Sequence, residues 1–182
     1  MARRRFPAIW RSMGCGAVRR TAEQPVALRV GRTNARSLRL IATPQLVFVF
    51  GTLKKGFPLH RRRGLAHANF IGLYRTAASY PMLIAGPWFA PMMFFEPGCG
   101  LRVSGELYQV DPATLERLDR MESIGRPGNF RRRIRIVPRR PGRSCRALAY
   151  FKARFLAASL HSGYLRSYED RRFVPPWRRE AP

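Results

Sequence analysis

Short apolar runs alternate along the chain with clusters of glycine and proline. VFVF (47–50) is continuous, as in a strand covered on both faces. Further strands are expected at 70–74, in YPMLIAG (80–86) and in PMMFFEPG (91–98). LRVSGELYQV (101–110) alternates, with Val103, Gly105, Leu107 and Gln109 on one face. In FRRRIRIV (130–137), Ile134 and Ile136 face one way and Arg133 and Arg135 the other, and CRALAYFK (145–152) closes the set. Glycine and proline punctuate each step. Many short strands with few helices predict an α+β domain, a curled sheet or small mixed barrel with helices packed outside.

VDPATLERLDRMES (110–123) carries the best-specified helix. Asp111 suits the N-cap, and Pro112 fits the first helical position, where its missing N–H costs nothing. At 100° per residue Leu115, Leu118 and Glu122 share a stripe, with Asp119 near its edge. Glu116 and Arg120 lie opposite, spaced as a solvent-face ion pair. Glu122 is thus either a helix-end residue escaping into solvent or a carboxylate lifted into a cavity, where it could act as a general base. A second helix is expected over 154–168.

FGTLKKGFPLH (50–60) places a glycine and a hydroxyl at the mouth of the first strand. The segment is either a tight turn or a loop whose backbone N–H groups hold a small anion. Its spacing is that of a phosphate loop, but Phe57 occupies the lysine position, which excludes an NTPase.

Length fits one domain over residues 44–182, preceded by a basic, poorly ordered extension over 1–43. The net charge of +25 comes from 35 basic and 10 acidic residues, and only Lys54, Lys55 and Lys152 among the basic ones are lysine. That skew, beside abundant Ala, Gly and Pro, resembles the coding of a GC-rich genome. It weakens the case for a nucleic-acid-binding module, and no specific nucleic-acid partner is expected. Cys15, Cys99 and Cys145 show no CxxC spacing, which predicts neither a disulfide framework nor a zinc site. His60, His67 and His161 are scattered without ligand spacing. The Arg runs at 61–63 and 131–133 read as solvated faces. No apolar run is long enough to span a membrane. The expected location is cytoplasmic, or mitochondrial if the extension is a presequence.

Taken in order, these segments resemble the gamma-glutamylcyclotransferase-like family, most closely the gamma-glutamylamine cyclotransferases. FGTLKKGFPLH looks like the family's YGTLK-x-G-x-P-x-H, and LERLDRMES looks like its L-x-x-LD-x-x-ES. YPMLIAG, PGCG and VSGELYQVD resemble the segments between, so that the likeness covers roughly 46–152. It implies a small β-barrel flanked by helices, with a cavity at one mouth. It implies that Phe50, Gly51, Thr52 and Leu53 bind the glutamyl end of a small substrate through backbone groups, with Glu122 as proton acceptor. A gamma-glutamyl amine or peptide would close to 5-oxoproline and release its amine, without a metal or organic cofactor. A family member that keeps the barrel with lost or altered chemistry is the alternative. The family's Tyr is Phe50 here, and Tyr80, Tyr108 and Tyr150 are the candidates for a replacement phenol.

Residues 1–43 hold ten Arg and one Glu, so +9 of the +25. Deleting them is expected to leave a folded protein that elutes from a polyanion column at lower salt. Loss of solubility on truncation would place the domain boundary elsewhere.

Overall fold

The computed structural model describes residues 43–62 and 65–179, so most of the expected extension lies outside the described residues. Seven strands form: β1 (Gln45–Val49), β2 (Asn69–Thr76), β3 (Met82–Ala85), β4 (Ala90–Met93), β5 (Ser104–Val110), β6 (Asn129–Pro138) and β7 (Cys145–Lys152). Five of them close a barrel in the order β1-β5-β2-β6-β7, and β3 pairs with β4 as a separate hairpin. All barrel pairings are antiparallel except β1 with β7, which closes the ring in parallel through Val47 and Leu148. The helices are α1 (Pro58–Arg62), directly after the glycine loop, and α2 (Pro112–Met121). No helix among the described residues is long and apolar enough to cross a membrane.

The continuous apolar run of β1 follows from its position. Phe48 joins Leu107, Ile134, Ile136, Ala147, Ala149 and Phe151 in one buried cluster. Val47 and Val49 join Tyr108, Val110, Leu148 and Tyr150 in a second, with Leu118 of α2. Both faces of the strand are therefore covered. Ile134 and Ile136 are buried between exposed Arg133 and Arg135, as the alternation predicts. Val103, just before β5, and Leu107 within it are buried, but Gln109 is exposed and takes a hydrogen bond from Asn69.

The helix expected over 154–168 does not form. A single 3-10 turn, Arg154–Leu156, gives way to extended chain. Ser159 at φ 54° interrupts any helical run. His161 and Leu165 then donate their N–H groups to Ile84 and Met82 of β3, satisfying on the hairpin what a helix would satisfy within itself. Of the cysteines among the described residues, Cys99 is buried and Cys145 is a free thiol.

Gly105 shows how tightly the barrel closes. A Cβ there would lie 2.3 Å from the Val49 carbonyl oxygen and 2.7 Å from the Phe48 ring. Gly105→Ala is expected to cost about 1–3 kcal/mol or more by overpacking. In a domain of this size that lowers Tm by roughly 2–4 °C per kcal/mol. An unchanged Tm would mean that β1 and β5 part without strain.

Candidate active site

A small pocket with a cavity volume of about 40 Å³, open to solvent at its mouth, lies where β1 and β7 end. It is lined by residues 48–53, Pro91 and Met93 of the hairpin, Glu122, Tyr150 and Lys152. Every residue of the expected site is present: Phe50, Gly51, Thr52 and Leu53 meet Glu122 from some seventy positions away in sequence.

The loop after β1 is built from consecutive turns. Lys54 N–H donates to the Gly51 carbonyl (3.0 Å), Phe57 N–H to Lys54 (3.1 Å) and Leu59 N–H to Thr52 (3.2 Å). His60 Nδ1 donates to the Leu53 carbonyl (3.1 Å), a bracing role. Lys55 N–H donates to Glu106 Oε2 (2.9 Å). Among the described residues, none of these bonds uses the N–H groups of Gly51, Thr52 or Leu53. Successive free donors of this kind suit an anion. Gly51 is not among the glycines with positive φ. Its need is for space, because a Cβ there would lie 2.6 Å from Pro91 Cγ.

Glu122 is held by the end of α2. Asp111 Oδ1 caps the start, accepting from Thr114 N–H at 2.6 Å. Hydrogen bonding from the Thr114 side chain, and then from its backbone N–H, pulls the Asp111 carboxyl below its usual range. At the other end Ser123 takes φ 57°, its N–H donating to the Arg120 carbonyl and Ile124 N–H to the Asp119 carbonyl. This is a Schellman closure with serine where glycine is usual, a conformation that costs about 1 kcal/mol. Ile124 packs beside the Val47–Leu118 cluster and seals the turn. Glu122, the C-cap, therefore does not fray into solvent; its side chain is 23% exposed.

Lys152 completes the arrangement. Its ammonium lies 3.4 Å from Glu122 Oε2, donates to the Glu122 carbonyl (3.2 Å) and donates to Asn129 Oδ1 (2.6 Å). Beside it the Tyr150 hydroxyl donates to Asp119 Oδ1 (2.8 Å), and Asp119 also pairs with Arg131. Arg131 is thus an anchor for Asp119, whereas Arg132 and Arg133 are exposed as expected.

A profile of the gamma-glutamyl cyclotransferase, AIG2-like family matches residues 47–171. The chain belongs to this family. It is 32% identical to the gamma-glutamylaminecyclotransferase of Mus musculus over 135 residues, 68% of this chain and 89% of that protein. It is 45% identical to the Homo sapiens gamma-glutamylaminecyclotransferase over 92 residues, 49% of this chain and 59% of that protein. Its match to gamma-glutamylaminecyclotransferase B of Danio rerio covers 42% of each. The chain thus spans about half the length of these last two relatives. The crystal structure of a mouse AIG2-like protein superposes with a TM-score of 0.64 at 31% identity, covering 75% of this chain and 99% of that one.

Within this cyclotransferase fold, Phe50 is 9% exposed and packs in the barrel core, so its ring serves as a wall of the pocket. Of the three candidate phenols, Tyr150 lines the pocket; Tyr108 is tied to Glu106 (2.8 Å), and Tyr80 packs against Phe95 and Phe151. Sequence reasoning missed Lys152, Asn129, Asp119 as the Tyr150 acceptor, and Glu106 as a clasp on the loop. One signal did mark Lys152: it is one of only three lysines in an arginine-rich chain.

Burial, then the Asp119 hydrogen bond and charge, then the Glu122 charge, raise the Tyr150 phenol well above its ordinary 10.0, with Arg131 opposing. A folded pKa above the unfolded one leaves this contribution intact below pH 10. It is lost as pH rises beyond, because only the unfolded chain releases the proton. Stability in urea is expected to fall above pH 10 by about 1.4 kcal/mol per pH unit for each such phenol. Tyr150→Phe should flatten that decline; an identical slope in the variant would remove Tyr150 from it.

Proposed function

We propose that the chain is a cyclotransferase that converts a gamma-glutamyl amine or gamma-glutamyl peptide to 5-oxoproline and a free amine. The observation that carries this reading is the meeting of the Glu122 carboxylate with the open N–H groups of the 51–53 loop in one pocket. Membership of the gamma-glutamyl cyclotransferase, AIG2-like family supports it.

The chemistry follows from the parts. The substrate's α-carboxylate docks on the Gly51–Leu53 amides, which Pro91 and the Phe50 ring confine to one side of the pocket. That docking folds the glutamyl chain so that its α-amine reaches its own γ-carbonyl carbon, replacing a flexible search by a near-attack geometry. The neutral amine attacks, forming the C–N bond of a five-membered ring, and Glu122 takes the proton that the nitrogen loses. The tetrahedral intermediate then breaks its bond to the leaving nitrogen, to which Glu122 returns the proton. Between these transfers Lys152 faces a carboxyl without charge, and recovery of the ion pair helps drive the second one. Tyr150 stays a fixed donor to Asp119 throughout and keeps the wall behind Glu122 rigid.

Glu122→Gln preserves shape and cannot accept the proton. It is expected to fold with wild-type Tm and lose about 10²- to 10⁴-fold in kcat. The measurement is 5-oxoproline release from a panel of gamma-glutamyl amines and dipeptides. Wild-type turnover in the variant would exclude Glu122 as the base. No release from any member of the panel by the wild-type protein would leave the altered-chemistry alternative in its place.

A further inference from the structure

Lys54 is 8% exposed, and the chemistry above does not use it. A lysine ammonium enters a protein interior only with partners that replace its water. Here the partners come from the far end of the chain. Lys54 Nζ donates to the Tyr168 carbonyl at 2.7 Å and to Glu169 Oε1 at 3.1 Å, and lies 5.1 Å over the Phe57 ring. The lysine's own backbone closes both turns of the pocket loop, to Gly51 on one side and Phe57 on the other.

The segment that receives Lys54 is itself seated at one end on β5 and β3 and at the other on the turn of the β3–β4 hairpin. Ser104 N–H donates to the Arg166 carbonyl and Leu165 N–H to the Met82 carbonyl, each at 2.7 Å, and Val174 N–H donates to Trp88 at 3.1 Å. Between these points the Tyr168 ring is fully buried and packs 5.2 Å from Phe57. Arg171 adds a second tie, donating to the Gly56 carbonyl at 2.8 Å and lying 4.2 Å over the Phe57 ring. The strap from 164 to 174 therefore grips the loop through residues that do not line the pocket.

We propose that Lys54 is a positioning residue, tying the 51–53 amides to the C-terminal strap so that the strap sets the enzyme's affinity for the glutamyl α-carboxylate. The proposal rests on the cyclotransferase reading for its substrate, though the tie itself does not. A loop of glycine and short turns would otherwise have to be ordered by each substrate molecule, and that ordering subtracts from binding. With Lys54 buried and triply partnered, the amides are arranged before the carboxylate arrives. Glu122 hangs from α2 and Lys152, so loosening the loop leaves the base where it is. The expected signature is thus in binding and not in the chemical step.

The test compares Lys54→Met, Lys54→Arg and Arg171→Gln in the full-length protein. It reads steady-state kinetics with a gamma-glutamyl amine, and hydrogen exchange at the amides of Gly51, Thr52 and Leu53. Lys54→Met is expected to raise KM about tenfold, the worth of one charge-assisted hydrogen bond. Its kcat should change less than about threefold, and exchange at the three amides should quicken. Lys54→Arg, which keeps the charge but not the compact ammonium, should fall between wild type and Lys54→Met in both readouts. Arg171→Gln, on the exposed side of the strap, should move both readouts in the same direction by less, and it serves if Lys54→Met does not fold. Unchanged exchange at the three amides in both Lys54→Met and Arg171→Gln would overturn the proposal. So would a loss in kcat that follows a lowered Tm while KM holds. An inactive wild-type protein would refute the cyclotransferase reading alone, since the exchange measurement still decides whether Lys54 orders the loop.

Discussion

The parallel pairing of β1 with β7 is the constraint on which the site depends. Every other neighbour in the barrel runs antiparallel. Had the last pair done so too, the end of β1 and the end of β7 would lie at opposite rims. Parallel closure through Val47 and Leu148 brings the loop after β1 beside Tyr150 and Lys152. It also buries β1 on both faces, which is why that strand reads as an unbroken apolar run. The Gly105 approach to Val49 and Phe48 is the steric counterpart: the ring closes only because one neighbour has no side chain.

Two of the three lysines stand at this rim, in a chain that otherwise uses arginine for positive charge. The difference is physical. An ammonium is compact and donates in three directions, whereas a guanidinium is a planar fork matched to carboxylates. Lys152 divides its donors among a carboxylate, the helix-end carbonyl of the same residue and an asparagine oxygen. Lys54 serves a carbonyl and a carboxylate from within a turn. Where the planar fork does fit, the chain uses it, as in the Arg154 pair with Glu96.

The parts of this fold legible in sequence are those fixed by local pattern. All seven strands carry an apolar or alternating signature, and α2 is marked at its start by Asp111 and Pro112 and on its solvent face by the Glu116–Arg120 pair (2.6 Å). That the 50–53 loop and Glu122 line one pocket was to be expected only through the family resemblance, because helix geometry alone left two outcomes for Glu122. The deciding feature was the Schellman closure at Ser123, a residue that gives no hint of left-handed backbone in the sequence. Segment 154–168 misled because its composition suits a helix, while its N–H groups have better acceptors on β3. Tertiary hydrogen bonds of that kind leave no periodic trace. The same holds for Asn129, Asp119 and Glu106, each of which matters through a partner at least twenty residues away or a backbone N–H on another strand's loop.

The two halves of the pocket are thus rigid for different reasons, and on the proposed chemistry this separates binding from catalysis. The carboxylate half is local: α2 is capped at both ends, and Lys152 on the neighbouring strand fixes the last carbonyl. The amide half has no helix or ladder of its own. Its order is borrowed from Glu106 on one side and from the C-terminal strap on the other. Order borrowed from a distant segment is weaker, since it fails whenever either partner opens locally. A proton acceptor must stay within hydrogen-bond reach of the atom it serves. A carboxylate cradle tolerates small displacements, because several amides share one charge. On the proposed chemistry, the more demanding task falls to the half whose rigidity is local.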